Sequence, residues 1–378
     1  MHNRARPETP EGEEFMQEPF EPKPYSGKTA FEQWADYEGV PMIRDFIVPD
    51  LNSIKVEPWE RMGAKGCWAV LGAPQDQLSM ASYICEIAPG TSIPPQKHLF
   101  EELIFVLSGS GATTVWNEGG KSLSFEWKRG SLFSPPLNAL HRHFNGSGTE
   151  PVRYVALTNA PAVFNMFHSY DFIMNNPQRF PERFDGDPQY FSGKGETHPG
   201  DVWESNFIPD IVDLPFYEFS TKGPGMKHVE IELSSNTLSG HISESPVGVY
   251  KKAHRHGPGA YIITLKGKGY SLMWPEGQSR QRFDWGPLSM MSPPNRWFHQ
   301  HFNLGKEPIR QLALKGWGQK YPIGGWEQMF KSTGAGGDMI EFDDEDPTVR
   351  EMYVQELRNE GIELKNPPIQ YKGKRRAS

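Results

Sequence analysis

The sequence predicts an all-β protein: two β-barrels of one pattern, with an N-terminal arm, a long connection and a C-terminal helix. Three observations carry this expectation. A block of 62 residues recurs at an offset of 158 without a gap. Inside each block, short apolar runs and glycine turns alternate roughly every 10 residues, the rhythm of a sandwich or barrel. Gly 38 and Pro 34 make up about a fifth of the 378 residues, too much turn chemistry for a helix bundle.

The repeat runs from Ile84–Asn145 onto Ile242–Asn303. Identities fall at Glu86/Glu244, Gly90/Gly248, His98/His256, Gly109/Gly267, Gly111/Gly269, Trp116/Trp274 and Trp127/Trp285. The block closes with Ser134-Pro135-Pro136 on Ser292-Pro293-Pro294, and with His141, His143, Phe144 and Asn145 on His299, His301, Phe302 and Asn303. The period is too long for a solenoid unit, so it marks a duplicated domain. Leu103–Leu107 and Tyr261–Leu265 read as twin strands closed by glycine pairs, and the turns at Asn117–Gly120 and Trp274–Gly277 correspond.

The chain then divides into an arm at 1–75, a first barrel at 76–165, a connection at 166–225, a second barrel at 226–325 and a C-terminal extension at 326–378. Residues 29–38 read as a short helix. The stretch at 160–225 is long for a plain loop and is expected to pack over the barrels. Residues 346–360 read as a helix, with Asp346 as cap, Pro347 in the first turn, Gly361 as stop, and Val349, Tyr353 and Leu357 on one face.

Composition excludes several classes. Aromatic residues at 12% exclude a disordered chain. A net charge of −8 argues against nucleic-acid binding, and the basic run Lys372–Arg376 reads as a solvated tail. No apolar run is long enough to span a membrane, and the acidic, Pro-rich Met1–Pro24 lacks the apolar core of a signal peptide. Two cysteines, Cys67 and Cys85, make no disulfide framework, so a reducing, cytoplasmic setting is expected.

The histidines carry the chemistry. His254-Arg255-His256 places two imidazoles two residues apart, which on a strand share a face. His299 follows His256 by 43 residues, and His98 to His141 is also 43. Converging imidazoles suit Fe, Ni, Cu or Zn, with positions left open for substrate. The other reading is a hydrogen-bonded set of core histidines; a His-x-His plus a third His at a duplicated position favours the metal.

Gly90-x5-Gln96-x-His98-x3-Glu102-x6-Gly109 resembles the first motif of the cupin superfamily, and Gly130-x5-Pro136-x-Asn138-x2-His141-x3-Asn145 resembles the second. The second repeat matches with His254, His256 and Gly267, then Pro294, His299 and Asn303. The chain is thus similar to a bicupin, which implies two double-stranded β-helix barrels. In the first, Gln96 stands where the family has a His, leaving His98, Glu102 and His141, with the Gln96 amide oxygen as a weaker fourth ligand. In the second, Ala260 stands where the family has a Glu, leaving His254, His256 and His299, a set resembling those of gentisate-type dioxygenases. The second barrel is favoured as the reacting one; the competing view makes the first catalytic and the second structural.

The resemblance implies a metal-dependent oxidoreductase, most simply an Fe(II) dioxygenase acting on a small aromatic or dicarbonyl/hydroxy acid. One alternative is a redox-neutral Mn or Zn lyase, decarboxylase or isomerase, with Ni also within reach of the ligand set. Another is a non-catalytic bicupin that binds a small molecule. Three further residues are candidates at the second site: His241 and Tyr250 as acid or base, and Arg296 as an anchor for a substrate carboxylate. His143 and His301 recur two positions after the motif histidines, where a hydrogen bond that orients a ligand is one role. Small-molecule substrate, no nucleic acid and no membrane are the expected partners; bicupins often self-associate, so a homo-oligomer comes with the resemblance.

Overall fold

The computed structural model describes residues 20–257, 259–322 and 326–372. The start of the acidic segment, Pro258 and the basic tail from Gly373 lie outside them. Two large sheets and two three-stranded sheets make up the two barrels. In the first barrel the large sheet runs in spatial order Met42–Asp45, Ala64–Leu71, Ala81–Ile87, Val152–Thr158, Glu102–Ser108, Leu132–Phe133 and Phe207–Ile208. It is closed by a small sheet of Leu140–Asn145, Ser110–Trp116 and Leu123–Lys128. The second barrel repeats this with Lys227–Leu233, Ser239–Ser245, Ile309–Lys315, Ala260–Lys266 and Met290–Met291 in the large sheet. Its small sheet is Gln281–Trp285, Gly269–Trp274 and Phe298–Asn303.

The duplication holds at the level of register. His141 lies opposite Val115, and His299 opposite Met273, at the repeat offset. Gly111 and Gly269 are identical in both repeats for a steric reason. A Cβ on Gly111 would sit 2.1 Å from the Phe144 carbonyl oxygen, and one on Gly269 2.0 Å from that of Phe302. Only glycine permits strands to approach this closely.

The twin strands are apolar on both faces because both faces are buried. Ile104 and Val106 point into the first barrel, whereas Leu103, Phe105 and Leu107 meet Val229, Ile231 and Ile242 of the second. The second barrel answers in kind: Tyr261 and Ile263 face this shared layer and Ile262 its own interior. The two large sheets therefore pack back to back. Tyr261 seals the junction by accepting a hydrogen bond from the Leu71 backbone N–H at 3.0 Å.

The segments outside the repeat are integral to both barrels. Ala64–Leu71, read as arm, is an inner strand of the first large sheet, and Ile47–Val48 crosses to pair with Met290–Met291 of the second. The connection likewise gives Phe207–Ile208 to the first sheet and Val202–Ser205 to the second. Helix Ala30–Tyr37 forms under a capping box between Thr29 and Glu32 and buries Phe31 and Trp34. Helices Ala160–Phe167 and Tyr170–Met174 pack beside it. Helix Pro347–Glu360 is capped by Asp346, ends at Gly361 in the left-handed region (φ 67°), and buries Val349, Tyr353 and Leu357 on the second barrel. Among the described residues no helix is long and apolar enough to cross a membrane.

Glu101 pins the barrels together. One carboxylate oxygen accepts the backbone N–H groups of Thr237 (2.8 Å) and Leu238 (2.9 Å), and the other accepts from Arg183 at 2.7 Å. The group is 4% exposed, so removing it strands two buried N–H groups and a cation. Glu101→Ala is expected to lower unfolding stability by about 2–4 kcal/mol in urea titrations; a loss below about 0.5 kcal/mol, the scale of ordinary surface changes, would contradict this role.

Candidate metal centres

Each barrel brings an irregular segment against its closing strand at the ligand positions. In the first, Gln96 and His141 exchange backbone hydrogen bonds of 2.8 and 2.9 Å; in the second, His254 and His299 do so at 3.1 and 2.9 Å. His254 and His256 therefore sit on a looped stretch held by isolated bridges rather than on the strand expected from their alternation. Both rings still turn inward, with centroids 4.4 and 4.9 Å from that of His299.

In the first barrel His98, Glu102 and His141 place one donor atom each within 4.8 Å of one another. His98 gives its Nδ1 proton to the Phe100 carbonyl (2.7 Å), and His141 gives its own to Ala139 (3.1 Å). Their Nε2 lone pairs then face the Glu102 carboxylate at 3.6 and 3.8 Å. Burial alone would raise the Glu102 carboxyl, but His98, His141 and the Tyr83 hydroxyl, donating at 2.6 Å, bring it down to about 2. Burial and the neighbouring His98 hold His141 down at about 4. Two imidazoles and one carboxylate, with the Nδ1 of each ring fixed by a carbonyl, are a donor set suited to Mn, Fe or Zn. The group is enclosed: Phe100 stacks on His98 at 3.7 Å, Trp34 packs on Phe100, and Phe164 stacks on Trp34.

In the second barrel His254, His256 and His299 form the corresponding group within the same 4.8 Å limit. His254 and His299 donate from Nδ1 to the Lys252 and Trp297 carbonyls at 3.1 and 3.3 Å. Burial, then the nearby Lys222, holds His299 at about 3 and His254 well below the ordinary range. Three converging imidazoles also fit a divalent ion. Behind each group the same orienting relay recurs. The Trp127 indole donates to Thr113 Oγ1 (2.8 Å), which meets His143 Nδ1 at 2.8 Å; Trp285, Ser271 and His301 repeat it at 2.9 and 2.6 Å.

A cavity of about 290 Å³ opens beside the second group, lined by His256, His241, Lys222, Lys251, Lys315 and Glu230, with Trp317 and Phe330. Lys315 pairs with Glu230. Lys251 donates to Ser243 at 3.1 Å, and Lys222 contacts His254 Nε2 at 3.0 Å. Burial brings Lys251 down to about 8; burial together with Lys251 brings Lys222 down to about 7. Neither amine has a carboxylate within 4.0 Å among the described residues, an unusual state for a buried cation.

The sequence-derived candidates divide accordingly. His241 lies in the cavity, its Nδ1 4.0 Å from Glu230, and burial keeps its ring neutral. Tyr250 does not reach it. Its bridge partner is Phe302, which alternates with His299 and His301, so Tyr250 faces the C-terminal helix and donates to Glu345 at 2.8 Å. Arg296 is also engaged elsewhere, holding Asp338 through two bonds of 2.6 and 2.8 Å. Gln96 is not turned toward the first group: its amide oxygen accepts from Arg61 and its amide nitrogen donates to Pro94. Sequence reasoning missed Tyr83, Lys222, Lys251, Lys315 and Glu230. Lys315, ending the apolar run Leu312-Ala313-Leu314, was the legible signal, a charge where a buried strand should be apolar.

The buried imidazoles make stability depend on pH in a definite sense. Their folded values, about 4 for His141 and about 3 for His299, lie below the ordinary 6.5, so between pH 6.5 and 4 the unfolded chain binds more protons. Stability is thus greatest above that window and falls with pH through it; Glu102, at about 2 against 4.5, adds further loss below pH 4.5. Metal-free protein should show falling urea midpoints from pH 7 to 5, with a shallower fall in His299→Gln; equal slopes in both would contradict this assignment.

No curated protein matches the chain. Among solved structures, it is similar to a formate complex of the Lactobacillus farciminis oxalate decarboxylase, at 14% identity over 85% of this chain and 96% of that one, TM-score 0.49. It is also similar to a Bacillus subtilis oxalate decarboxylase described for its Mn(II) centres, at 14% identity over 78% and 83%, TM-score 0.47. Residues 83–158 match the family described as Cupin domain. The first barrel therefore carries a cupin domain, and the second repeats its strand order and its ligand positions.

Proposed function

We propose that the protein is a metal-dependent enzyme whose second barrel converts a small organic acid by redox-neutral chemistry, as a lyase, decarboxylase or isomerase. The cavity beside His256 carries this reading. It combines two amines with no carboxylate within 4.0 Å among the described residues, Lys222 and Lys251, with His241, whose Nδ1 lies 4.0 Å from Glu230. Its 290 Å³ suits a small ligand, and its lining calls for an anionic one.

His254, His256 and His299 would hold the ion, with Mn or Zn matching the donor set and Fe(II) also accepted by it. A divalent ion there supplies Lewis acidity, polarising a bound carboxylate or carbonyl. Lys251 and Lys222 hold the substrate carboxylate by charge-assisted hydrogen bonds. His241, kept neutral by burial, takes a proton, and Glu230 at 4.0 Å stabilises the imidazolium that forms. Trp317 and Phe330 wall part of the cavity. The Fe(II) dioxygenase expected from the resemblance rests on the three-His set alone. Proton donors and acceptors in the cavity are what a redox-neutral reaction uses. The enclosed first group is assigned a structural ion, since Trp34 and Phe100 cover it.

The reading is tested by elemental analysis and turnover of small carboxylic acids with and without oxygen. Product should form at the same rate anaerobically, and oxygen uptake matching turnover would overturn the reading in favour of a dioxygenase. His256→Ala should lose about one metal equivalent and all turnover. His241→Asn should keep its metal and lose about 10²–10⁴-fold in kcat. Lys251→Met should raise KM about tenfold or more, as expected for a lost charged hydrogen bond.

A further inference from the structure

In both barrels a cation from outside the repeat is delivered to the same ligand position. Gln96 and His254 are equivalent by the repeat offset and by their bridges to His141 and His299. Gln96 receives Arg61, and His254 receives Lys222. Arg61 lies in the turn between Glu57–Trp59 and Ala64–Leu71; Lys222 lies in the turn between Tyr217–Glu218 and Lys227–Leu233. These are the same hairpin in each barrel, so the delivery is a property of the fold.

The two contacts differ in consequence. Arg61 is tied to Glu38 at 2.7 Å, and the side chain it meets is an amide. Lys222 meets an imidazole that belongs to the metal group. His254 gives its Nδ1 proton to Lys252, so Nε2 holds one lone pair, and the Lys222 ammonium points at it from 3.0 Å. One lone pair serves one partner. The Lys222 backbone carbonyl accepts the Lys252 N–H at 2.7 Å, which keeps the side chain beside His254. Its other contacts are soft, Met329 Sδ at 3.8 Å and the Phe330 ring at 5.8 Å, and no carboxylate among the described residues lies within 4.0 Å of it.

We propose that Lys222 is a displaceable plug on the second metal group, and that a small carboxylate in the cavity draws its ammonium off His254, so that metal and anion bind cooperatively. This rests on the reading that the second barrel holds a metal. Coupling of this kind is reciprocal: an anion that tightens metal binding is itself bound more tightly once the metal is in place.

The test is a Zn(II) titration of the metal-free full-length protein, with and without excess acetate, resolving two binding events. The event abolished by His256→Ala belongs to the second barrel, and the other event is the internal control for folding and for free metal. In the parent protein, acetate should tighten the second-barrel event about 5- to 150-fold, the usual span of coupled sites. In Lys222→Met that event should already be about tenfold tighter without acetate and should no longer respond to it; Lys222→Arg should keep the parent behaviour. If His256→Ala removes no event, the metal reading of this barrel fails. If the event is present but Lys222→Met leaves its affinity and its acetate response unchanged, the plug is overturned while the metal reading stands.

Discussion

The pair of backbone hydrogen bonds that clips an irregular segment to its closing strand at the ligand position is the constraint on which both centres depend. A strand ladder fixes many neighbours at once; here isolated bridges do the positioning, and the one at the ligand position joins Gln96 to His141 in the first barrel and His254 to His299 in the second. It lets residues 45 apart in sequence present side chains to a common point. The remaining freedom is rotation of the rings, and carbonyl acceptors on Nδ1 remove it. Those four imidazoles are therefore oriented and desolvated before any ion arrives, and the ordering cost is met during folding rather than binding.

From the same scaffold the two barrels take opposite courses. The first keeps a carboxylate, lowers its pKa and seals it under Phe100, itself covered by Trp34 and Phe164 from segments outside the repeat. The second has Ala260 where the first has Glu102, leaves a cavity, and lines that cavity with lysines. Loss of the carboxylate removes one negative charge from the site, and the added ammonium groups move the balance further positive. A site of that charge is completed by an anion, which connects the departure from the family motif with the chemistry of the cavity.

Much of this was legible in the sequence, for identifiable reasons. The duplication showed as a register of glycines, prolines and histidines, because those residues answer to steric and ligand requirements that the repeat shares. His98, His141, His256 and His299 were found by that register, His254 by its spacing from His256, and Glu102 by the resemblance to the cupin motif. Arg296 and Tyr250 were plausible by proximity in sequence, but Asp338 and Glu345, more than 40 and 90 residues away, claim them. The reach of the arm was also illegible: Ala64–Leu71 has the composition of any buried strand, and only pairing shows which sheet takes it.

The lysines were hidden for a deeper reason. A motif is recognisable when its members lie at fixed intervals on one segment, whereas Lys222, Lys251 and Lys315 come from a hairpin turn, the ligand loop and the end of a strand in the large sheet. Each alone reads as surface charge. They line the cavity of the second barrel together, where these three segments meet, with Lys251 and Lys315 buried. Specificity in this fold is thus written mainly in elements that do not carry the metal. On the proposed reading, the ligands fix where an ion is held, while the charge brought from neighbouring segments selects the acid bound beside it.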